Sequence, residues 1–292
     1  MRLTDAQLQQ FHEQGFVVVP GFLGAEKLAR AQDALSLHLP SPEAYFADPG
    51  AHSNLSQGQF VGLTEFPFKS FDLNRLAVDE DLIAISQHLM DAPSVRLSKA
   101  ELWGKYAGAV DYDQELHRDY GNHTLVVPRA DGRWRELTTF IYLSDVTEQC
   151  GPTAIVPRPA SADVPLGKFR PERDLSRFEK LAVGPAGSLV LYSFDVFHRG
   201  TQITGEKASR FMLLFDYRCD DMTWGGKHSW PSKGIDSNMH EFLQRVTPEQ
   251  RTLLDFPPPG HPYWNDQTLL DTQLRYPDMD LAVYRAHLAK SV

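Results

Sequence analysis

The sequence reads Glu115-Leu116-His117-Arg118-Asp119-Tyr120-Gly121-Asn122, and the rest of the chain is organised around this stretch. In extended backbone, the side chains of His117 and Asp119 point to one face while that of Arg118 points to the other. An imidazole and a carboxylate on one face are two of the three ligands of a 2-His-1-carboxylate facial triad, which leaves positions of an octahedral iron(II) open. Because His-x-Asp is common by chance, this prediction requires a second histidine from another strand.

A candidate for the second histidine is His198, which closes the segment Tyr192–His198 at the end of a strand. The following strand is expected over Ser209–Arg218, so that the two form a β-hairpin. Arg210 lies on this otherwise apolar strand, where a guanidinium group is costly to bury unless it meets an anion. Its paired N–H donors suit a carboxylate. The alternative is that Arg210 faces water at a sheet edge, as we expect for Arg218.

The bulk composition bounds the class of protein. The chain has 292 residues, of which 42% are hydrophobic and 23% are charged. These values predict a single globular domain over residues 1–292, with a helical cap at about 1–92 and a helical extension at about 219–292. The net charge of −9 argues against a nucleic-acid-binding surface, since such a surface needs a basic face.

The cysteines and the apolar runs indicate the compartment. Cys150 and Cys219 are far apart and lack CxxC spacing, which fits a reducing compartment and does not fit a disulfide framework. The N-terminus has no apolar signal-peptide core, and no apolar run approaches the roughly eighteen residues that a membrane span needs. We therefore expect a cytoplasmic protein that binds neither nucleic acid nor membrane, and the sequence leaves its oligomeric state open.

Helix caps and turn residues divide the chain into elements. Caps and apolar periodicity predict helices over Thr4–Gly15, Ala25–Leu37 and Asp79–Met90, and one that starts at Thr247. Between Pro40 and Arg75, proline and glycine interrupt every period, and we expect a mobile lid there. Short strands are expected over Phe16–Val19, Val95–Ser98, Leu102–Tyr106, Leu125–Val127, Leu137–Leu143, Gly151–Pro157, Gly187–Tyr192 and Phe211–Phe215. This pattern predicts a mainly β fold with flanking helices, as an antiparallel sandwich or barrel.

An ordered set of motifs resembles the phytanoyl-CoA dioxygenase family over roughly residues 4–218. The motifs are Phe11–Leu23, His117–Asp119, Thr138–Val146, Cys150–Pro152, Val156–Pro157 and His198 with Arg210. The resemblance implies a double-stranded β-helix, or jelly-roll, core. It also implies an iron(II)- and 2-oxoglutarate-dependent dioxygenase that uses O₂ to oxidise, by default to hydroxylate, a small organic substrate, with release of succinate and CO₂.

The resemblance also implies roles for individual residues. The implied iron ligands are His117, Asp119 and His198, and the implied 2-oxoglutarate contacts are Arg210, Thr201, Thr138 and Lys105. Arg210 would bind the distal carboxylate of 2-oxoglutarate, with help from the hydroxyl group of Thr201 or Thr138. Lys105 would also face the cosubstrate, unless it faces solvent. One departure is Pro157–Ser161, since family members often read Pro-Gly-Ser-His there.

Alternatives remain for the reaction and the substrate. Halogenases of this family carry Gly or Ala where this chain has Asp119, which excludes halogenation. A non-catalytic jelly-roll that binds the metal or 2-oxoglutarate stays open, as does a cupin-like metal isomerase or hydrolase, although the latter would not use Arg210. The aromatic residues Tyr120, Trp134, Phe140 and Trp224 favour a mid-sized, partly apolar substrate. Surface or loop positions are expected for Arg129, Arg133, Arg135, His228, His240, His261 and His287.

Overall fold

The structure, a computed structural model, describes residues 3–55, 62–109 and 112–288. Its α-helices are α1 Asp5–Gln14, α2 Ala25–Leu35, α3 Pro42–Ala47, α4 Phe71–Asn74, α5 Glu80–Met90, α6 Tyr120–His123, α7 Ser237–Arg245, α8 Pro248–Thr252, α9 Asp266–Arg275 and α10 Ala282–Leu288. Its strands are β1 Phe16–Val19, β2 Thr64–Glu65, β3 Val95–Tyr106, β4 Glu136–Tyr142, β5 Thr153–Ile155, β6 Lys180–Ala182, β7 Leu189–Ser193, β8 His198–Gly200 and β9 Ser209–Cys219.

Two antiparallel sheets form the core of the fold. The larger sheet has the strand order β1-β7-β4-β9-β3-β2, and the smaller sheet has the order β6-β5-β8. Most strands that follow one another in the chain are not neighbours in a sheet, as is usual in a jelly-roll. The expected mainly β fold with flanking helices on a jelly-roll core is therefore confirmed.

The long pair β3 and β9 has two chemically different faces. The side chains of Ala100 and Leu102 on β3, and of Leu213 and Phe215 on β9, are fully buried in the larger hydrophobic cluster. That cluster also contains Leu82 from α5, so this face packs against the helical layer. Burying each large apolar side chain contributes roughly 1.5–3 kcal/mol. The alternate positions therefore point to the other side of the sheet, towards the space between the two sheets.

A β-bulge sets which residues of β3 face the space between the sheets. The pairing of β3 with β9 shifts between Leu97 and Lys99, and such a shift moves the following side chains to the opposite face. As a result, Leu97 and Leu102 both lie in the apolar cluster, while Lys99 and Lys105 line a cavity between the sheets.

Local end signals predicted several elements correctly. Helix α1 begins with the capping box of Thr4 and Gln7 and ends at Gly15, whose φ is 80°. Helix α5 has Asp79 as its N-cap, and the Thr247 capping box starts α8. Helix α2 ends at Leu35, two residues before the predicted end. These elements follow from hydrogen bonds within a few residues of chain, which a sequence pattern can specify.

Predictions that depended on distant partners were less accurate. The two strands expected over Val95–Ser98 and Leu102–Tyr106 are one strand, β3. The segment Leu125–Val127 is not a strand, and its three side chains are 88%, 52% and 58% exposed. The expected hairpin is also wrong, since β8 pairs with β5 in the smaller sheet while β9 pairs with β3 and β4 in the larger one.

The segment expected to act as a lid contains packed structure in its described part. Residues 40–55 and 62–75 include α3, β2 and α4, and the side chains of Tyr45, Phe66 and Phe68 are buried. Residues 56–61 of the predicted lid lie outside the described ranges. The lid therefore stays a prediction. None of the helices within the described ranges combines the length and the apolar character that crossing a bilayer requires.

Candidate active site

The backbone brings the two halves of the predicted triad together. His117 and His198 exchange two main-chain hydrogen bonds, with N–H to carbonyl distances of 3.0 and 2.9 Å. This is the pattern of an antiparallel hydrogen-bonded pair, in which the two Cα atoms lie about 5.5 Å apart. Their rings lie side by side with centroids 4.6 Å apart. His198 is thus the first residue of β8 rather than the last residue of the preceding strand.

Asp119 completes a compact cluster with the two histidines. One carboxylate oxygen, Oδ1, lies 3.7 Å from His117 Nε2, and the other, Oδ2, lies 3.4 Å from His198 Nε2. One ligand atom from each of the three residues lies within 4.8 Å of the other two. The structure therefore places His117, Asp119 and His198 as the sequence predicts for a shared metal ion.

The tautomer of His117 suits a metal ligand. Its Nδ1–H donates to the carbonyl oxygen of Glu115 at 2.8 Å. Because a carbonyl can only accept, Nδ1 carries the proton, and Nε2 of the neutral ring keeps its lone pair available for a metal. Burial, followed by the charge of His198, lowers the pKa of His117. A neutral imidazole is the form that binds a metal.

Asp119 stays ionised although it is buried. Burial alone would raise its pKa, but the neighbouring His198, followed by His123 and Lys99, lowers the pKa well below its ordinary value. The Tyr192 hydroxyl donates to Asp119 Oδ2 at 3.2 Å and lies 3.3 Å from His198 Nε2. Two imidazole nitrogens and a carboxylate oxygen that converge in this way fit a divalent first-row metal such as iron(II).

Arg118 anchors the backbone between His117 and Asp119 from the side opposite the triad. Its side chain lies on the opposite side from His117 and Asp119, as the alternation predicts, and it is 2% exposed. Its guanidinium donates to the carbonyl oxygens of Asp195 and Pro165, at 2.8 Å in each case, and lies over the ring of Phe197. These bonds hold the backbone on both sides of the triad, so Arg118 is a positioning residue.

Arg210 lies in the same cavity as the triad, and that cavity has a volume of about 460 Å³. Its side chain is 2% exposed, which contradicts the alternative of an edge charge facing water. Its guanidinium donates to the carbonyl oxygen of Gly151, and Nε has no hydrogen-bond partner. Within the described ranges, no carboxylate lies at ion-pair distance from Arg210. A buried cation in this state fits a carboxylate ligand.

Lys105 stands directly opposite Arg210 in the β3–β9 register. The side chain is buried and lines the cavity, which contradicts the alternative of a solvent-facing lysine. Burial, with a further effect of the Arg210 charge, lowers the pKa of Lys105 to about 6. The Arg210 charge thus disfavours protonation of Lys105, and a dianion bound between the two groups would favour the charged form of Lys105.

The two predicted hydroxyl groups lie elsewhere. Thr201 donates its hydroxyl to the carbonyl oxygen of Pro152 at 2.6 Å and does not line the cavity. Thr138 is fully buried beside Tyr192, its partner in the β4–β7 register, and is also outside the cavity wall. The threonine that lines the cavity is Thr153 on β5, whose partner in the smaller sheet is Gly200. In the sequence, the Gly151-Pro152 segment before Thr153 could have indicated that this threonine lies near the site.

A network of buried charges on the cavity wall was missed from the sequence. Lys99 Nζ lies 3.5 Å from Glu101 Oε2 and 3.8 Å from Asp216 Oδ2. His123 Nδ1 lies 3.4 Å from Asp216 Oδ2, which ties α6 to β9. His228 Nε2 lies 3.4 Å from Glu101 Oε1, so the expectation of a surface or loop position holds for its backbone but not for its side chain. The polar alternation Lys99-x-Glu101-x-Trp103-x-Lys105 could have revealed this face.

Most of the predicted aromatic residues lie at another site. Phe140 lines the cavity that contains the triad, whereas Tyr120, Trp134 and Trp224 line a second cavity. The expectation of a partly apolar substrate therefore loses most of its support. Arg218, which was expected to face water, donates to the carbonyl oxygen of Met222 and is largely buried.

Comparisons with known proteins place the chain in a family and a fold. The sequence model of phytanoyl-CoA dioxygenase (PhyH) matches residues 11–212. HygX from Streptomyces hygroscopicus with iron bound is 20% identical, with a TM-score of 0.54 over 76% of this chain and 89% of HygX. EctD from S. alaskensis is 18% identical, with a TM-score of 0.55 over 78% and 82% of the two chains.

A third similar structure is the epimerase SnoN in complex with Fe³⁺, alpha ketoglutarate and nogalamycin RO. It is 19% identical, with a TM-score of 0.53 over 74% of this chain and 83% of SnoN. No curated protein sequence matches the chain significantly. At these identities, the structural likeness concerns the fold, while the family match covers most of the chain.

Proposed function

Because the chain belongs to the phytanoyl-CoA dioxygenase family, we propose that it hydroxylates a small polar organic molecule. Iron(II) and 2-oxoglutarate are the cofactors of this iron- and 2-oxoglutarate-dependent oxygenase. The observation that carries the proposal is one cavity that contains both the His117, Asp119 and His198 cluster and the buried cation Arg210. A generic metal-binding jelly-roll has no need for that cation.

The residues that line the cavity have two tasks, which are to hold the metal and to bind 2-oxoglutarate. His117, Asp119 and His198 hold the metal. Arg210 binds the distal carboxylate of 2-oxoglutarate, and Lys105 adds a second positive charge beside it. When bound, iron(II) with 2-oxoglutarate supplies oxidation by O₂, in which 2-oxoglutarate leaves as succinate and CO₂. The side chains of this protein hold and orient these groups and exclude bulk water, since the cavity lies between two packed sheets.

The remaining wall supports a polar substrate. Lys99, Glu101, Asn122 and His228 line the same cavity, and all four side chains can donate or accept hydrogen bonds. Such a polar wall favours a substrate whose own polar groups bond to it, and it disfavours one whose apolar surface would replace water at these groups without a hydrogen bond. We therefore favour a small molecule with several hydroxyl, amine or carboxyl groups over an extended apolar chain.

Succinate formation tests the proposal. Purified protein with iron(II), 2-oxoglutarate and O₂ should release succinate, and a true substrate should raise the rate. The His198→Ala variant should release none above background, and the Arg210→Ala variant should release much less than the wild type at a 2-oxoglutarate concentration that just saturates the wild type. A useful matched control is Arg285→Gln, which changes an exposed arginine on α10. Binding of both cofactors without any succinate would instead support the non-catalytic module.

The mass of the product distinguishes hydroxylation from other oxidative outcomes. Similar structures include the epimerase SnoN and the carbocyclase SnoK, so the fold accommodates several reactions. Hydroxylation adds one oxygen atom to the substrate, oxidative ring closure removes two hydrogen atoms, and epimerisation leaves the mass unchanged. A product that carries one atom of ¹⁸O from labelled O₂ supports hydroxylation, and an unlabelled product of unchanged mass contradicts it.

A further inference from the structure

A second cavity lies behind the triad, and the proposed oxygenase reaction does not use it. Its volume is about 670 Å³, within the range of small-molecule sites. The walls are residues from the segments 118–136, 158–166 and 193–195, with Met222 and Trp224. Among the residues that the structure describes, none lines both this cavity and the one that contains the triad.

Five arginine residues line this second cavity, and three of them are already engaged. Arg118 is held by main-chain carbonyl oxygens. Arg158 forms two parallel bonds to Asp195, with distances of 2.6 and 3.0 Å. Arg129 pairs with Asp131. These three guanidinium groups hold the walls of the cavity in place, and their hydrogen-bonding groups are bound to carbonyl oxygens or carboxylates of the protein.

The other two guanidinium groups form no ion pair with any residue that the structure describes, although the charges of Asp195 and Asp131 act on Arg135 from a greater distance. For Arg133 and Arg135, the described part of the chain offers no carboxylate at ion-pair distance and no acceptor for their side chains. Arg135 is half-buried, and burial lowers its pKa. Glu136 also lines the cavity, but burial raises the pKa of its carboxyl group well above the ordinary value, which weakens it as a counter-ion. A half-buried cation such as Arg135 favours a bound anion, and the exposed Arg133 beside it adds a second positive charge.

An aromatic wall stands beside Arg133 and Arg135. The indole of Trp134 lies 4.2 Å from the guanidinium of Arg133 and 6.4 Å from the ring of Trp224. Its Nε1–H donates to Asp221 at 2.8 Å. The backbone of Trp134 has φ +51°, which costs energy for a bulky residue and is found where a side chain must be held in place. Val126 and Val127 are more than half exposed and extend this apolar wall.

We propose that this cavity is a second ligand site, which binds an organic anion that carries a planar or apolar group. Arg133 and Arg135 bind the phosphate or carboxylate of the ligand, and Trp134, Trp224 and Val127 contact its apolar part. The site needs neither the metal nor 2-oxoglutarate. It therefore takes a different ligand from that of the cavity between the sheets, and this inference is independent of the proposed oxygenase function.

Calorimetry with 1-naphthyl phosphate tests the site in the full chain saturated with 2-oxoglutarate. Binding should persist under this condition, because Arg210 is then occupied. The double variant Arg133→Gln, Arg135→Gln should weaken it by about tenfold or more, as the loss of a charged contact predicts. The control Arg30→Gln, Arg285→Gln removes the same charge from exposed positions on α2 and α10 and should leave the affinity unchanged. In parallel, 1-naphthoate distinguishes a carboxylate from a phosphate ligand, and tight binding of either supports the proposal.

Three results would overturn the proposal. The first is competition between 1-naphthyl phosphate and 2-oxoglutarate, which would place the anion at Arg210. The second is equal weakening by the two double variants, which would indicate general attraction to positive charge. The third is no binding of either naphthyl anion beyond that of inorganic phosphate alone. Should the double variant not fold, Arg133→Gln at its exposed position, compared with Arg30→Gln, decides the same question.

Discussion

Replacing Arg210 by alanine should separate cosubstrate binding from metal binding. Arg210 is 2% exposed and lies on β9 opposite Lys105, in the cavity that also contains the triad. Iron needs only His117, Asp119 and His198, so the variant should retain its affinity for iron(II). The loss should fall on 2-oxoglutarate, because its distal carboxylate would lose the planar two-donor partner.

The expected loss follows from breaking a buried charge pair. Removal of one partner costs roughly 3–5 kcal/mol, which corresponds to a loss of affinity of roughly two hundred-fold to several thousand-fold. Lys105 acts in the opposite direction. Without Arg210 beside it, this lysine is more readily protonated and can pair with the carboxylate, so the lower end of the range is the better expectation. Arg210→Lys should recover only part of the affinity, since an ammonium group cannot present a planar fork.

Anaerobic titration of 2-oxoglutarate into the iron-loaded variants measures this loss directly. The control is Arg30→Gln, which removes an exposed positive charge on α2 and should bind 2-oxoglutarate as the wild type does. A dissociation constant for Arg210→Ala within about threefold of the wild-type value would be too small for a broken buried pair. Arg210 would then have a structural role, and the assignment of the cosubstrate pocket would be refuted.

Four further predictions concern proton uptake on binding, the pH dependence of stability, the metal and the lid. At about pH 8, binding of 2-oxoglutarate should be accompanied by uptake of close to one proton, because Lys105 has a pKa of about 6 in the free protein and a bound anion favours its charged form. Calorimetry in buffers of different ionisation enthalpy measures this proton uptake. The Lys105→Met variant should bind without it. Since the folded pKa of Lys105 lies below its unfolded value, its contribution to folding stability should rise from about pH 6 towards pH 10, and chemical denaturation of the wild type and Lys105→Met over this range should reveal the difference. Asp119→Ala should lose iron and succinate production together, and retention of full turnover would contradict the triad. Hydrogen exchange should show that residues 62–65, where Leu63 and Glu65 line the cavity, become protected on adding 2-oxoglutarate and substrate, whereas strong protection in the free protein would make this segment scaffold.

The part of the site that the sequence predicted depends on short-range geometry. His117 and Asp119 share a face because side chains alternate in extended backbone, and this holds whatever the rest of the chain does. The capping box at Thr4 likewise needs only neighbouring residues. His198 and Arg210 came from their order in the family motif, and the structure brings both into one cavity.

What the sequence did not predict depends on distant pairing. Whether β8 joins β5 or β9 is decided by strands far away in the chain, so the hairpin expected from proximity was wrong. Leu125–Val127 has strong β propensity but no partner strand among the described residues, and propensity alone does not form a strand. The burial of Lys105 depends on the bulge near Leu97, which sets the inward face of β3 and leaves no local signal in composition.

The central claim is that one cavity holds iron(II) at the triad and 2-oxoglutarate at Arg210. An anaerobic crystal structure with iron(II) and 2-oxoglutarate tests it most directly, with anomalous scattering to locate the iron. The expected result is a single iron bound to His117 Nε2, the Asp119 carboxylate and His198 Nε2, with the distal carboxylate of 2-oxoglutarate on the Arg210 guanidinium. An iron ion bound without His198, or a cosubstrate carboxylate located away from Arg210, would contradict the account.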